Sequence, residues 1–472
     1  MNKRYWFGFL VAGLALAGCG SDSGSGSPPD SAITNDAGNK ADVAPPADVA
    51  IVPDVVLPDA HLADTNAVTD ANVADVSAIV DTTSPIDAPL GDAAIDSGGV
   101  DLANSPRLDA STVDLAVSEG GGGGEAGAAV TYTAVLSGAE EVPPVTTSAT
   151  GSATFTLSAD RTQLTYLVTH NVTGGTASHI HLAAAGENGA IIYPFTPFSS
   201  SMSGTLTITT ADADNLEQGK LYVNVHSVAN PGGEIRGQIL HPGESLWVAK
   251  LTGSQETPSV TSSGTGTAAV ILGAAKASIR YHVNTTGLTL TNAHIHKAIA
   301  TIAGAVIYPF SPIASTMDGT IAIAVADAQD LADGHWYVNV HTAAHPGGEL
   351  RGQLVLPGEI LYSASLSGAN EVPPVTTSAT GGAQFILDPT GTDLRYEAVF
   401  TGLTATASHI HTGTVGVNGP VLYPLTLITG GAKGTQAITA DDLTALNAGG
   451  LYINAHTVAN PGGEIRGQIG KP

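Results

Sequence analysis

The sequence predicts an all-β protein, built as three tandem antiparallel β-sandwich domains of a Greek-key-like kind and preceded by a disordered linker. Three observations predict this architecture. The segment from Leu221 to Ile239 returns as 336–354 and again as 451–469, each time at an offset of 115 residues. Apolar residues alternate with Thr and Ser along short segments, which is the pattern of half-buried strands. Charged residues make up only 12% of the chain, whereas the turn formers Gly and Pro number 57 and 27.

The fixed period divides the folded part of the chain into three copies of one domain. Solenoid repeats have periods of roughly 20–50 residues, so a period of 115 residues indicates whole domains. We place them at 130–242, 243–357 and 358–472. Domains of this size can bury a core of their own. Whatever the protein does, it therefore does three times.

The first 19 residues have the features of a signal peptide. Lys3 and Arg4 supply a positive start, and the apolar run from Tyr5 to Ala17 is too short to span a bilayer comfortably. The run ends in Leu16-Ala17-Gly18-Cys19, which resembles the lipobox of bacterial lipoproteins. An ordinary signal peptide with a chance cysteine is the alternative.

The lipobox resemblance implies that Cys19 is lipidated and becomes the mature N-terminus. It implies a membrane partner, the lipid anchor on Cys19, in a bacterial cell envelope. Gly20 and Ser21 follow the cysteine, with no Asp at the next position, which favours the outer membrane, on its periplasmic or surface-exposed side. Because Cys19 is the only cysteine, its acylation would leave the domains without disulfides.

Residues 20–129 are predicted to be a disordered, acidic linker rich in Ala, Asp, Pro and Gly. The segment carries seventeen Asp and no aromatic residue, and it ends in the glycine run 120–124. It cannot bury enough apolar surface to offset its ordering entropy. Calcium loops place acids two residues apart around a glycine, a pattern that this segment lacks.

The charge balance excludes some classes of partner. The chain carries 16 Lys and Arg against 42 Asp and Glu, for a formal charge of −26. Nucleic-acid binding needs cations that displace counterions, and docking on anionic lipid needs basic patches. We therefore expect no nucleic-acid partner. The sequence also lacks a nucleophile elbow, a phosphate-binding glycine loop and a cysteine nucleophile.

Eight short strands are predicted in the first repeat. They cover 131–136, 151–157, 163–169, 178–182, 191–193, 204–209, 220–226 and 234–239. One helical turn is predicted to start at Thr210 as its N-cap, because early Asp residues suit a helix N-terminus. The equivalent Thr439 to Asp442 in the third repeat has the form of a capping box.

Two histidine motifs recur in every repeat. In His179-Ile-His181, the strand period of two places both imidazoles on one sheet face. In the strand that contains Tyr222, Asn224 and His226, these three side chains share a face, while the two valines between them point into the core. If the two strands pair, three imidazoles converge in each repeat.

Three histidines with an open fourth position are a zinc or copper arrangement. They also resemble the copper site of Cu/Zn superoxide dismutase, although that enzyme's bridging ligand and zinc loop are not visible here. The alternative is structural: the histidines are hydrogen-bonding members of a polar sheet face. The candidate metal ligands are His179, His181, His226, His294, His296, His341, His409, His411 and His456.

Two acidic positions accompany the histidines. Glu234 and Arg236 share a strand face beside the Pro-Gly-Gly turn, and we interpret them as a structural ion pair that braces the last strand. Glu349 with Arg351 and Glu464 with Arg466 repeat this arrangement. Glu141, in a Glu-x-Pro turn, is a further candidate neighbour of the histidines that sequence alone does not place.

Together these motifs resemble the CHRD domain family, named from chordin. The Glu-x-Pro turn, the His-Ile-His, a Tyr-Pro element and the final Asn-Pro-Gly-Gly-Glu-Ile-Arg-Gly-Gln carry the resemblance over 130–472. The second repeat departs most, with Glu256-Thr-Pro258-Ser, Trp336 and His345 replacing the usual residues. The family implies an extracellular β-rich module; in chordin it belongs to a secreted antagonist of growth-factor signalling.

We therefore predict a non-catalytic, envelope-anchored lipoprotein that acts in binding, adhesion or scaffolding. Its partner would be a protein or polysaccharide at the cell surface. The alternative is a copper- or zinc-binding metalloprotein with one three-histidine site per repeat and, as the lesser version, redox activity.

Overall fold

The computed structural model describes residues 128–472, which form three successive β-sandwich domains. The predicted signal peptide, Cys19 and the linker lie outside the described residues. Repeat 1 contains β1 (Val130–Ser137), β2 (Thr150–Leu157), β3 (Gln163–His170), β4 (Gly175–Leu182), β5 (Ala190–Pro194), β6 (Ser201–Thr207), α1 (Thr210–Glu217), β7 (Leu221–Ser227) and β8 (Ile235–Gln238).

The other two repeats follow the same order. Repeat 2 contains β9 (Ser245–Leu251), β10 (Thr265–Leu272), β11 (Ser278–Thr286), β12 (Leu290–Lys297), β13 (Ala305–Pro309), β14 (Thr316–Ala322), α2 (Asp327–Ala332), β15 (Trp336–Thr342) and β16 (Leu350–Gln353). Repeat 3 contains β17 (Ile360–Ser367), β18 (Thr380–Leu387), β19 (Asp393–Thr401), β20 (Ala407–Thr412), β21 (Val421–Pro424), β22 (Leu427–Ile428), β23 (Gly431–Ala437), α3 (Ala440–Asn447), β24 (Leu451–His456) and β25 (Ile465–Gln468).

Each repeat pairs two antiparallel sheets of four strands, and in repeat 3 the short β22 adds a fifth strand to the first sheet. In repeat 2 their orders are β14-β11-β10-β9 and β13-β12-β15-β16. In repeat 1 the equivalent sheets join at one edge, where Ser137 pairs with Arg236, and in repeat 3 they join at the same place. The chain leaves the first sheet after β3, returns to it for β6, and ends in the second sheet. The predicted fold of three tandem antiparallel β-sandwiches is confirmed.

The core of each repeat lies between its two sheets. In repeat 1, Tyr132, Phe155 and Tyr166 from the first sheet pack with Val223 and Ile235 from the second. Most strands bury alternate residues, as β1 does, because only one face of their sheet is covered. β7 is buried on nearly every residue, because its outward side chains are covered as well, and these include the candidate site.

Helix capping shifts the predicted boundaries slightly. The N-cap of α1 is Thr209 and not Thr210, because the Thr209 side chain accepts from the backbone N–H of Asp212. The extended cap residue also ends β6 two residues early, at Thr207. The capping box of Thr439 and Asp442 is confirmed. Among residues 128–472, no helix has the length and apolarity that crossing a bilayer would require.

Candidate metal centre

The second sheet of each repeat places the histidines. In β4, Ile180 points into the core, so His179 and His181 point outward. β4 pairs antiparallel with β7, and the register places Ala177 opposite His226, His179 opposite Asn224 and His181 opposite Tyr222. The three imidazoles therefore meet on the outer face of one strand pair. The sequence prediction of this convergence agrees with the structure.

The imidazoles of repeat 1 are in direct contact. Nδ1 of His179 lies 3.1 Å from Nε2 of His226, and the ring of His181 lies 5.7 Å and 6.0 Å from those two rings, centre to centre. One nitrogen from each ring falls within 4.8 Å of the others. Since nitrogens bound to one zinc at about 2.0–2.1 Å are no more than about 4.2 Å apart, only small side-chain movements separate this arrangement from coordination.

Repeats 2 and 3 reproduce the cluster. His294 Nδ1 lies 3.2 Å from His341 Nε2, and His409 Nδ1 lies 2.9 Å from His456 Nε2. His296 and His411 complete the second and third clusters. The nine candidate histidines thus form three groups of equal composition.

Backbone carbonyls fix the orientation of two histidines in each cluster. His181 Nδ1 donates to the carbonyl of Gly189, and His226 Nδ1 donates to the carbonyl of Pro231, both at 3.0 Å. A carbonyl can only accept, so each Nδ1 carries the proton and each Nε2 keeps its lone pair. Metal-binding histidines are commonly held in this way by their second nitrogen.

The Nε2 atom of His181 is buried and has no hydrogen-bond partner among the described residues. The same is true of Nε2 in His296 and His411. A buried acceptor without a donor costs about 1–3 kcal/mol, so three such atoms at one position call for a physical explanation. A cation at the centre of each cluster would supply the missing partner.

Burial also keeps the three histidines of repeat 1 neutral. It lowers the pKa of His179 to about 4, and the nearby His226 and His181 lower it further. Burial likewise lowers the pKa of His181 and of His226. Neutral imidazole is the form that binds metals, so the cluster is in the ligating state at neutral pH.

A stack of three side chains lies behind His181. The Tyr222 ring packs against the His181 ring at 4.8 Å with an interplanar angle of 11°. On its other face lies the guanidinium of Arg236, 3.4 Å from the ring centre. The Tyr222 hydroxyl accepts from the N–H of Gly189, the residue whose carbonyl holds His181. The sequence placed Tyr222 on this face, but no signal in it indicated the stack.

The predicted ion pair between Glu234 and Arg236 is wrong. The buried guanidinium of Arg236 instead donates to the backbone carbonyls of Ala184 and Glu187. Glu234 accepts from the Thr147 hydroxyl at 2.9 Å. An arginine is long enough to reach past its strand neighbours, and carbonyls that converge from a loop satisfy its donors without a carboxylate. Arg351 and Arg466 also donate to loop carbonyls.

Glu141 lies beside the histidine strand and bonds to Asn224. Its Oε2 accepts from Asn224 Nδ2 at 3.3 Å, and both residues are buried. Among the residues that the structure describes, Glu141 Oε1 and Asn224 Oδ1 have no hydrogen-bond partner. Burial raises the pKa of Glu141 to about 7, against the opposing charge of Arg236. A protonated Glu141 could donate its Oε1–H to Asn224 Oδ1, which would satisfy both orphaned atoms with one proton.

Comparison with known proteins identifies the repeat. The family model described as the CHRD domain matches residues 132–239, 247–354 and 362–469. Chordin from Danio rerio is 33% identical over 161 residues, which cover 30% of this chain and 17% of that protein. Chordin from Xenopus laevis is 33% identical over 172 residues, which cover 31% of this chain and 18% of that protein. The matches therefore span less than a fifth of either chordin. No solved structure matches the chain.

Proposed function

This chain belongs to the CHRD domain family, and from that premise we propose that each of its three domains is a metal-binding module that holds one copper or zinc ion. The ligands in repeat 1 would be His179, His181 and His226. The equivalent ligands are His294, His296 and His341 in repeat 2, and His409, His411 and His456 in repeat 3.

One observation carries this proposal: the buried, unpartnered Nε2 of His181 and of its two equivalents. In a purely structural polar cluster, a buried acceptor without a donor only costs desolvation free energy, and here this cost arises once in each repeat. The oriented Nδ1–H groups support the same conclusion, because they leave Nε2 of His181 and of His226 unprotonated, as metal ligands must be. Imidazole nitrogens suit copper and zinc alike.

The proposed module is non-catalytic. Three histidines leave at least one coordination position of the ion free. A bound ion would act there as a Lewis acid, and a donor atom of a partner could take the free position. The chain's own residues hold and orient the ligands and keep them neutral. A protein or polysaccharide partner that contributes an oxygen or nitrogen donor would fit this role in binding or scaffolding.

The lipoprotein assignment is the second part of the proposal. A lipid on Cys19 would anchor the modules in a bacterial envelope, and the acidic segment 20–129 would act as their tether. Cys19→Ser removes the acylated thiol, so we expect the protein to leave the membrane fraction or to remain unprocessed. Fractionation with immunoblotting measures this. Normal processing with full membrane retention would contradict the anchor.

The metal is tested on the full chain purified without a histidine tag. After chelation and dialysis, titration with Cu²⁺ or Zn²⁺ should saturate at three ions per chain by mass spectrometry. His226→Ala should reduce this to two, and His226→Ala with His341→Ala to one. His170→Ala is the matched control, because His170 binds Ser199 outside the clusters, and it should keep all three ions.

Acid should weaken the binding, because it protonates the ligands. Because burial lowers the pKa of these histidines, affinity should persist at the ordinary histidine value of about 6.5 and fall only at lower pH. Saturating metal should raise the melting temperature. Less than one ion per chain would contradict the proposal. In that case the histidines are structural, and His226→Ala would cost repeat 1 about 1–3 kcal/mol through orphaned partners.

A further inference from the structure

Repeats 1 and 2 each contact the next repeat through a loop, which packs on the first sheet of that next repeat. We call residues 183–189, 298–304 and 413–419 the docking loops, and the outer face of the first sheet of each repeat the receiving face. At the first junction, Ala185 is only 6% exposed, because it packs against Leu246, Ala269 and Ile271 on the receiving face of repeat 2. The Glu187 carboxylate accepts from the Thr267 hydroxyl at 2.7 Å and lies beside His282.

The second junction uses the equivalent positions. Ala300, 115 residues after Ala185, is 5% exposed. Its N–H donates to Gln384 Oε1 at 3.0 Å on the receiving face of repeat 3. Ile302, the equivalent of Glu187, packs closely on Gly382. A Cβ added to Gly382 would lie only 2.8 Å from Ile302 Cγ1. One geometry thus serves two junctions with different side chains.

The third docking loop carries a valine at each of these two positions, and both valines are exposed. Val415, the equivalent of Ala185 and Ala300, is 78% exposed, and Val417, the equivalent of Glu187 and Ile302, is 53% exposed. The alanines at this position in repeats 1 and 2 are buried, whereas the valine in repeat 3 is exposed. A loop that offers more apolar surface than its docked equivalents has the chemistry of an unoccupied interface.

The receiving face of repeat 1 is the other open surface. Leu167, the equivalent of His282, is 48% exposed there. The positions around it are uncharged: Thr131, Thr133, Val135, Ser152, Thr154, Thr156, Thr165, Thr169, Ser201, Ser203 and Thr205. The third docking loop is also free of charged residues. In a chain with a formal charge of −26, two uncharged surfaces can approach each other without repulsion.

We propose that the third docking loop of one chain binds the receiving face of repeat 1 in a second copy, and that this contact continues the array of repeats from chain to chain. It would place Val417 against Leu167, where the first internal junction has Glu187 beside His282. The two surfaces are different patches of the molecule, so the contact is head-to-tail and adds chains beyond two, as a filament or as a closed ring of several chains. The proposal does not depend on the metal sites.

Cysteine trapping tests this contact in the full chain, whose only native cysteine is Cys19. A Val417→Cys chain mixed with a Leu167→Cys chain should form a heterodimeric disulfide on mild oxidation, at least tenfold more than the control. The control mixes Val458→Cys with Leu167→Cys, because Val458 in repeat 3 is 87% exposed on another loop. Equal trapping in the two mixtures would overturn the proposal, as would Val417→Cys chains that pair equally well with themselves.

Sedimentation of the full chain supplies a second measurement. The mean mass should rise with concentration past that of a dimer, and Val417→Asp should keep the chain monomeric while Val458→Asp should not. A chain that carries both Val417→Glu and Leu167→His should associate at pH 6, whereas Val417→Glu alone should not, because the double variant recreates the pair of Glu187 and His282 at the first internal junction. A wild-type chain that stays monomeric at every concentration, or that stops at a dimer, would contradict the proposal.

Discussion

At the scale of single residues, the buried carboxyl next to the histidines links stability to pH. The pKa of Glu141 and of Glu256 is raised to about 7 by burial, and that of Glu371 is also raised. Each folded domain therefore keeps a proton that the unfolded chain releases above pH 4.5. This contribution to stability is complete below pH 4.5 and is lost as the pH rises through about 7.

Glutamine at these positions imitates the protonated acid. The variant with Glu141→Gln, Glu256→Gln and Glu371→Gln should raise the unfolding free energy of each domain at pH 8 by about 1–3 kcal/mol, with little change at pH 4.5. Denaturant unfolding at the two pH values measures this. Glu234→Gln is the control of opposite sign, since hydrogen bonds, that of Ser227 first, lower the pKa of Glu234. A loss of stability at pH 8 in the glutamine variant would contradict the raised pKa of Glu141.

The sequence predicted the histidine clusters because strand alternation is a local property. The period of two alone predicts that three side chains face outward, those of His179, His181 and His226. The pairing of β4 with β7 then brings their imidazoles together. The partners of Arg236 could not be predicted in this way. They are backbone carbonyls of a loop more than forty residues earlier in the chain, and no side-chain pattern encodes where carbonyls point.

At the scale of elements, the turn before β8 is set by one of two adjacent glycines. Gly233 has φ of +138°, and a Cβ on it would lie 2.5 Å from Asn224 Nδ2 and 2.6 Å from Glu141 Oε1. Gly233→Ala should therefore destabilise repeat 1 by about 1–3 kcal/mol and weaken its metal uptake, because it displaces the strand that carries His226.

The neighbouring glycine provides the control for this turn. A Cβ on Gly232 would meet nothing within 4 Å, so Gly232→Ala should change stability by no more than about 0.5 kcal/mol. Thermal unfolding with hydrogen exchange of β7 and β8 measures both variants. Equal effects of the two substitutions would show that the contact with Glu141 and Asn224 does not constrain the turn.

Strand positions were predicted well and their ends less well. Alternation of buried and exposed residues locates β1, β2 and β3 to within one or two residues. β6 was placed too late, because Thr207 to Thr209 continue the alternating pattern although Thr209 belongs to the helix cap. The hydrogen bond between Thr209 and Asp212 makes Thr209 part of the helix cap and not of the strand. A periodic sequence pattern does not indicate this bond.

At the scale of the whole molecule, charge complements packing at the internal junctions. Lys220 of repeat 1 pairs with Asp318 of repeat 2 at 2.9 Å across the first. Lys433 of repeat 3 contacts Asp333 of repeat 2 across the second, and it also contacts Glu397 of its own repeat. These ion pairs lie beside the apolar contacts of the junctions. Equivalent charges are missing from the receiving face of repeat 1 and from the docking loop of repeat 3, which distinguishes the two ends from the interior.

The docking loops also orient one histidine in each cluster. Because only two of the three loops pack against a further repeat, the three sites should differ in metal affinity. The carbonyls of Gly189 and Gly304 orient His181 and His296 from loops that the next repeat clamps, whereas Gly419 orients His411 from a loop with an open flank. Identical ligands should therefore give a two-plus-one isotherm, with the third ion held more weakly, as calorimetry of the dilute chain would show. One isotherm with three equal affinities would contradict this coupling.

By thermodynamic reciprocity, a second chain that binds the third docking loop should raise the metal affinity of the weakest site. A metal ion in that site should in turn strengthen the binding of the second chain.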